Sequence, residues 1–231
     1  MENKARYGYR RITMELKNRG IILNHKTVLK LMNEQGLYCK IRRKKYSSYR
    51  GEVNKAAPNI IQRNFTANRP NEKWTTDITE FALLGQKVYL SPILDMYNSE
   101  IVSYSISFSP NMKFIHEMLN KAFIKIPDNS GLVFHSDQGW HYLQKAYAEK
   151  LRAKGIKQSM SRKGNCLDNS VMENFFGLLK SEMFYGEKFD SIQDFIKQLE
   201  EYISYYNYQR IKVKLKGLSP VNYRNQSLNV A

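Results

Sequence analysis

Apolar positions along the chain change their period several times, and the changes mark its elements. Ile12, Met14 and Leu16 predict a first short helix that stops near Gly20. Asn24 suits the N-cap of a second helix over residues 25–35, with Val28, Leu29 and Met32 turned inward and Gly36 ending it. Two short helices joined by a Gly-containing turn have the form of a helix-turn-helix, with Lys26, Thr27 and Lys30 on the exposed face of the second. From residue 40 to 72 the periodicity dissolves. From Trp74 the pattern becomes that of strands. Residues 73–83, 87–94 and 100–108 are rich in Thr, Val, Ile, Tyr and Phe, and short turns at 84–86 and 96–99 separate them. Pro92 implies a bulge or an edge position in the second strand. A helix over 112–126, a buried-type strand over 131–136, a helix over 140–154 and a short strand over 156–160 follow. After a loop at 161–167, helices are expected over 169–183 and 191–206. This order suits an α/β fold, a mixed sheet flanked by helices.

Charge adds a division that hydropathy does not show. The net charge is +16, yet residues 51–201 hold 18 basic and 18 acidic side chains. The excess lies at the two ends, +11 over residues 1–50 and +5 from Tyr202 onward. A neutral body with two basic arms suits a polyanion gripped from both sides. Within the pattern-free stretch, Lys40, Arg42, Arg43, Lys44, Lys45 and Arg50 are interleaved with Tyr46 and Tyr49, as in a basic linker lying along DNA rather than packing into a core. The expected organisation is a helix-turn-helix-like segment at 1–39, a basic linker at 40–72, a catalytic core at 73–206 and a basic C-terminal tail at 207–231. Cys39 and Cys166 form no C-x-x-C pair, and the four histidines lack zinc-ligand spacing, so a structural zinc site is not expected. No apolar run approaches the roughly 18 to 20 residues of a membrane helix, and no apolar signal core follows Met-Glu-Asn-Lys. A cytoplasmic, nucleoid-associated protein is expected.

Three carboxylates stand where a cleft can gather them. Asp77 lies within a strand pattern, Trp-Thr-Thr-Asp-Ile-Thr, and Asp137 ends the apolar strand Leu-Val-Phe-His-Ser-Asp, at the strand mouth where α/β sites form. Glu173 begins a helix whose apolar stripe is Met172, Phe175, Phe176 and Leu179, and Gly177 and Lys180 follow it along the glutamate's face. Oxygen ligands of this kind suit Mg²⁺ shared with substrate phosphates. Two such ions roughly 3.5 to 4 Å apart serve an in-line displacement at phosphorus. Nearby, Asp168 is expected to cap the Glu173 helix, Asp95 to form a turn, and His135 and His141 to flank the second aspartate.

Three segments are similar to the D, D, E motifs of insertion-sequence transposases: the one around Asp77, His135-Ser-Asp-Gln-Gly, and Ser161-Arg-Lys-Gly-Asn-Cys-Leu-Asp-Asn-Ser-Val-Met-Glu-Asn-Phe-Phe. Between Asp137 and Glu173 lie 35 residues, the spacing that family shares with retroviral integrases. Tyr-Tyr-Asn-Tyr-Gln-Arg followed by Lys-Gly-Leu-Ser-Pro resembles the family's carboxyl-terminal signature, with Ile211-Lys212 in place of its usual Pro-His. The chain resembles the second-frame product of elements that fuse two overlapping reading frames. The resemblance implies a ribonuclease H-like fold, with Asp77, Asp137 and Glu173 holding two Mg²⁺ (or Mn²⁺) ions. It implies strand cleavage at an element end, then attack of the freed 3′-hydroxyl on a second phosphodiester. Double-stranded DNA, further copies of the chain and the first-frame product are the implied partners. Lys180 is the implied phosphate contact; Arg210 is a further candidate for DNA. Two other readings share these residues: a DNA-binding regulator from a truncated frame, and a ribonuclease H-type nuclease.

Overall fold

A computed structural model describes residues 5–39 and 56–228, and these divide into two units: 5–39 with 179–188 and 198–228, and 56–178 with 189–197.

In the second unit the strand pattern resolves into β1 (Lys73–Thr76), β2 (Thr79–Leu83), β3 (Gln86–Asp95), β4 (Ile101–Ser107), β5 (Val133–Ser136) and β6 (Lys157–Met160). β1 and β2 lie on the same side of β3, so the sheet reads β4, β3, β1 with β2, β5, β6, antiparallel around β3 and parallel from β1 outward. The mixed α/β sheet is the expected one. The single strand expected over 73–83 is interrupted, and the reason lies across the ladder. Thr76 pairs with Ile93 and Thr79 with Leu90 in one unbroken register, so Asp77 and Ile78 fall opposite Pro92 and Ser91. The Pro92 carbonyl accepts the Thr76 hydroxyl at 2.9 Å. In an antiparallel strand a residue's N–H and C=O face the same neighbour, so the missing N–H also faces this side. Pro92 therefore sits in a central strand, not at an edge. The ladder is interrupted opposite it, and on the β4 side the register shifts one residue on, between Ile93 and Leu94.

Helices α3 (Met112–Phe123) and α4 (Lys145–Ala153) cover the sheet. Asn111 caps α3 by accepting the Phe114 amide, and its buried stripe of Phe114, Ile115, Met118, Leu119 and Ala122 meets Trp74, Ile93, Val102 and Phe134 in the core. Burying a large apolar side chain of this kind contributes about 1.5–3 kcal/mol. Residues 140–144 form turns instead of the first part of α4. Helix α5 (Ser170–Leu179) follows a 3₁₀ turn at Cys166–Asn169 and continues as a π turn, Lys180–Phe184. Helix α6 (Ile192–Tyr208) begins in this unit, where Phe195 packs on Phe81 with ring centroids 5.1 Å apart.

Residues 56–72 correct the linker expectation, because they pack on this unit. Ile61 is buried, the Ile60 amide donates to Ser159 Oγ, and the Met160 amide donates to the Pro58 carbonyl, extending the edge of β6. Residues 40–55, with Arg42, Arg43, Lys44 and Lys45, lie outside the described residues.

The first unit holds α1 (Tyr9–Asn18) and α2 (His25–Glu34), the latter capped by Asn24, whose side chain accepts the Lys26 amide. Val28 is buried as expected, whereas Leu29 is exposed. The segment expected as a tail is folded through residue 228, with a 3₁₀ turn at Val213–Leu215 and helix α7 (Pro220–Leu228). Both ends of the chain build this unit. The Tyr7 hydroxyl donates to the Gln209 carbonyl at 3.3 Å and accepts the Ile211 amide at 3.2 Å, and Asn18 Nδ2 donates to the Gly217 carbonyl at 3.0 Å. No helix among the described residues is long and apolar enough to cross a membrane.

Candidate active site

Asp77 occupies the break between β1 and β2, and Asp137 follows β5 directly. These strands are parallel neighbours, with Thr75 beside His135, so both aspartates leave the sheet at the same end. Glu173 lies in the first turn of α5. What ties that helix to the sheet is Asn169. Its carboxamide accepts the Thr75 hydroxyl at 2.6 Å and donates to the Thr76 carbonyl at 3.2 Å, all three residues being buried. The contact fixes the start of α5 to the strand residues immediately before Asp77. For the strand cleavage that the resemblance implies, Asn169→Ala should accordingly lower the rate by about 10- to 100-fold with DNA affinity unchanged, the size of effect that supporting contacts around metal ligands carry. Single-turnover cleavage beside a binding titration reads this out, and a loss confined to affinity contradicts it.

The electrostatics are those of a site built to receive positive charge. Burial first, then the charge of Asp137, pushes the Asp77 carboxyl up to about 8. The Ile78 amide, which donates to Oδ1 at 2.7 Å, works the other way, and Glu173 adds to the rise. Burial also raises Asp137, opposed by the Gly139 amide at 2.9 Å from Oδ1 and by His141. A Cβ at position 139 would stand 3.0 Å from that same oxygen, so glycine lets the backbone close on the carboxylate. The donors are hard oxygens whose ionisation is made costly by burial and, at Asp77, by the neighbouring carboxylates, which fits a divalent cation. Among the described residues, no three acidic, histidine or cysteine side chains are gathered to enclose a single ion.

The remaining residues are supports. His135 is buried with its ring nitrogens 2.9 Å from Ser159 Oγ and 3.1 Å from Ser161 Oγ, and burial brings it down to about 4, so it is a neutral strap between β5 and the strand beside it. His141 is buried, with Nε2 against the Pro110 carbonyl. Asp95 forms the expected turn, accepting the Tyr97 and Asn71 amides. Asp168 is no helix cap: it lies in the preceding 3₁₀ turn and takes both Arg162 Nε at 2.9 Å and Nη2 at 2.9 Å, with Arg63 Nε at 2.8 Å. Those hydrogen bonds, Arg162's above all, hold its carboxyl well below the usual range. The clamp stiffens the loop that carries the chain from β6 to α5.

Of the residues expected on DNA, Lys26 and Lys30 are exposed on α2, and Lys30 Nζ lies 3.8 Å from Glu34. Lys180 opens the π turn. Arg210 corrects its expectation: it is 2% exposed and bidentate on Glu182, and a guanidinium so buried offers nothing to a phosphate. Asn169, Arg63 and Trp140 were not singled out from sequence. Asn and Arg contacts across 94 or 105 residues leave no periodic trace.

Residues 67–166 match the integrase core domain model, 173–228 a second integrase core model, and 1–45 an HTH-like domain. The chain is 54% identical over 226 residues to a putative transposase, InsK, of insertion sequence element IS150 from Escherichia coli K12, covering 98% of this chain and 80% of that protein. It is 53% identical to a transposase-like protein of Haemophilus influenzae, covering 90% of this chain and 96% of the relative. Among solved structures, the HTLV-2 integrase catalytic core domain in complex with magnesium shares 15% identity and a TM-score of 0.51, covering 68% of this chain and 98% of that one. At that identity the likeness is one of fold.

Proposed function

The chain belongs to the insertion-sequence transposases with an integrase core, and from that premise we propose that it cleaves and joins DNA strands at the ends of an insertion sequence by metal-dependent phosphoryl transfer. What supports this reading is that the parallel pair β1 and β5 brings Asp77 and Asp137 to one end of the sheet, with Asp137 and Glu173 both raising the Asp77 carboxyl. The three carboxylates would hold two Mg²⁺ ions, or Mn²⁺, which when bound supply charge neutralisation at the attacking and leaving oxygens.

The protein's own residues do the positioning. β1 and β5 bring the aspartates to one end of the sheet, Asn169 ties the start of the glutamate's helix to Thr75 and Thr76, and the Ile78 and Gly139 amides donate to the two aspartates. Cleavage joins a water oxygen to phosphorus and breaks the P–O3′ bond, leaving a 3′-hydroxyl and a 5′-phosphate. Joining uses that hydroxyl oxygen on a second phosphodiester, whose own 3′-oxygen departs. No bond to the protein forms. Gly177 is exposed on α5 one turn beyond Glu173, and a Cβ there would meet nothing within 4 Å, so the helix surface is bare for a DNA backbone. Lys180, Lys26, Lys30 and the run Arg42 to Lys45 bind phosphates in this reading, and their number makes affinity steeply salt-dependent. Joining two ends calls for several copies on DNA, with the first-frame product as a further partner. The test is cleavage and joining of a labelled duplex bearing the element's end, with Mg²⁺ or Mn²⁺, comparing wild type with Glu173→Gln. Activity in the wild type alone is expected; equal activity in both overturns the site assignment.

A further inference from the structure

The chain has two tryptophans, and they are placed oppositely: Trp74 is fully buried, whereas Trp140 is 53% exposed. Trp140 lies three residues beyond Asp137, in the same unit as all three carboxylates. An exposed indole costs hydrophobic free energy, and here its backbone is pinned. The Gly139 amide is held by Asp137 Oδ1 at 2.9 Å, the Tyr142 amide donates to the Gly139 carbonyl at 3.0 Å, and Gln144 Nε2 donates to the Trp140 carbonyl at 3.0 Å. The indole rests against the His141 ring, with centroids 3.9 Å apart and planes at 31°. His141 is itself buried and anchored on the Pro110 carbonyl. The next residue, Tyr142, is buried within electrostatic reach of both Asp77 and Asp137, so this turn backs directly onto the paired aspartates.

A flat, rigid, uncharged ring held open beside a phosphoryl-transfer site matches the face of a nucleobase. Bases inside an intact duplex have both faces covered by their neighbours, so only an unpaired or displaced base can use it. We propose that Trp140 is a stacking platform for an unpaired DNA base next to the scissile phosphate, a subsite separate from the phosphate-binding lysines and arginines. The inference rests on the DNA-cleaving reading above and adds to it a preference for frayed or single-stranded ends. Stacking there would hold the terminal strand open and present its phosphate to the carboxylates.

The test uses the full chain with chelator present, so that no strand is cut, and two fluorescein-labelled duplexes of equal length, one blunt and one with a short single-stranded overhang. Anisotropy reports binding, while tryptophan emission reports stacking, because Trp74 is buried and contributes a constant background. The overhang duplex is expected to quench the emission and the blunt duplex to quench it less. Trp140→Ala should abolish the quench and weaken overhang binding by about tenfold while leaving blunt binding unchanged, and Trp140→Tyr should keep most of the affinity. Unchanged emission on DNA that anisotropy shows to be bound overturns the proposal, as does equal loss of both duplexes in Trp140→Ala. A change in oligomeric state with no change in overhang affinity overturns it too, making the ring a contact between copies. No anisotropy change with either duplex would instead sink the DNA-binding reading, and this inference with it.

Discussion

Asp77→Asn should abolish strand cleavage, by about a thousandfold or more, and at the same time raise the melting temperature of the ion-free protein above pH 8. The two effects have opposite signs because the same burial and repulsion that prepare the site also destabilise it. The Asp77 carboxyl is pushed from 3.8 up to about 8 by burial and by Asp137. Between these values the folded protein keeps a proton that the unfolded chain has released, so stability falls as pH rises through the interval. Above pH 8 the ionisation penalty is complete, on the order of a few kcal/mol, and asparagine removes it. Below pH 4 both forms carry a neutral side chain and should melt alike. Melting curves at pH 4 and pH 9, beside a cleavage assay, decide the matter. A variant that loses stability at pH 9 would make Asp77 a structural residue.

Glu182→Gln should cost about 3–5 kcal/mol of stability, the usual consequence of breaking a buried ion pair from one side. Glu182 is 3% exposed and receives Arg210 Nε at 2.8 Å and Nη2 at 2.6 Å, the Tyr202 hydroxyl at 3.0 Å, and Arg11 at 3.5 Å. Its own carbonyl takes Arg6 Nε at 2.8 Å. Glutamine leaves the buried Arg210 charge without its counter-ion. Burial works to raise the Glu182 carboxyl, but Arg210 and Arg11 outweigh it and hold it below its ordinary 4.5. Its contribution is therefore full above about pH 4.5 and disappears as the pH falls through the lower folded value. Urea unfolding at pH 7 and pH 3 should show a large gap between wild type and variant at the first and a smaller one at the second. A loss under about 1 kcal/mol at pH 7 would mean the pair is relaxed or wet.

The arrangement of the sheet and its helices was legible because it is periodic. β3 to β6, α3 and the capped α2 all fall within a few residues of where alternation and helical spacing predict them. Asp137 was legible for a related reason, as a polar residue terminating an apolar run. What escaped is what depends on distant partners. The division of 73–83 into two strands is imposed by Pro92 across the ladder, not by anything local to Asp77. The burial of Arg210 depends on Glu182, 28 residues earlier. Basic charge alone made Arg210 look like a phosphate ligand, and charge counts do not distinguish a guanidinium facing solvent from one facing a carboxylate. Residues 207–228 looked like a tail because their apolar anchors, Ile211 and Leu215, are too sparse to give a period.

One consequence concerns the order in which the chain is made. A ribosome releases α1 and α2 well before their partners, for Tyr7 and Asn18 bond to Gln209, Ile211 and Gly217, about 200 residues later. The sheet unit, which takes in residues up to 197, can close while synthesis continues, whereas the unit holding α1 and α2 must wait for residues 209–217. A nascent chain halted after Glu173 would thus carry Asp77, Asp137 and Glu173 while α1 and α2 still lacked these partners. Folding of this unit is coupled to the synthesis of residues about 200 positions downstream of its first helices.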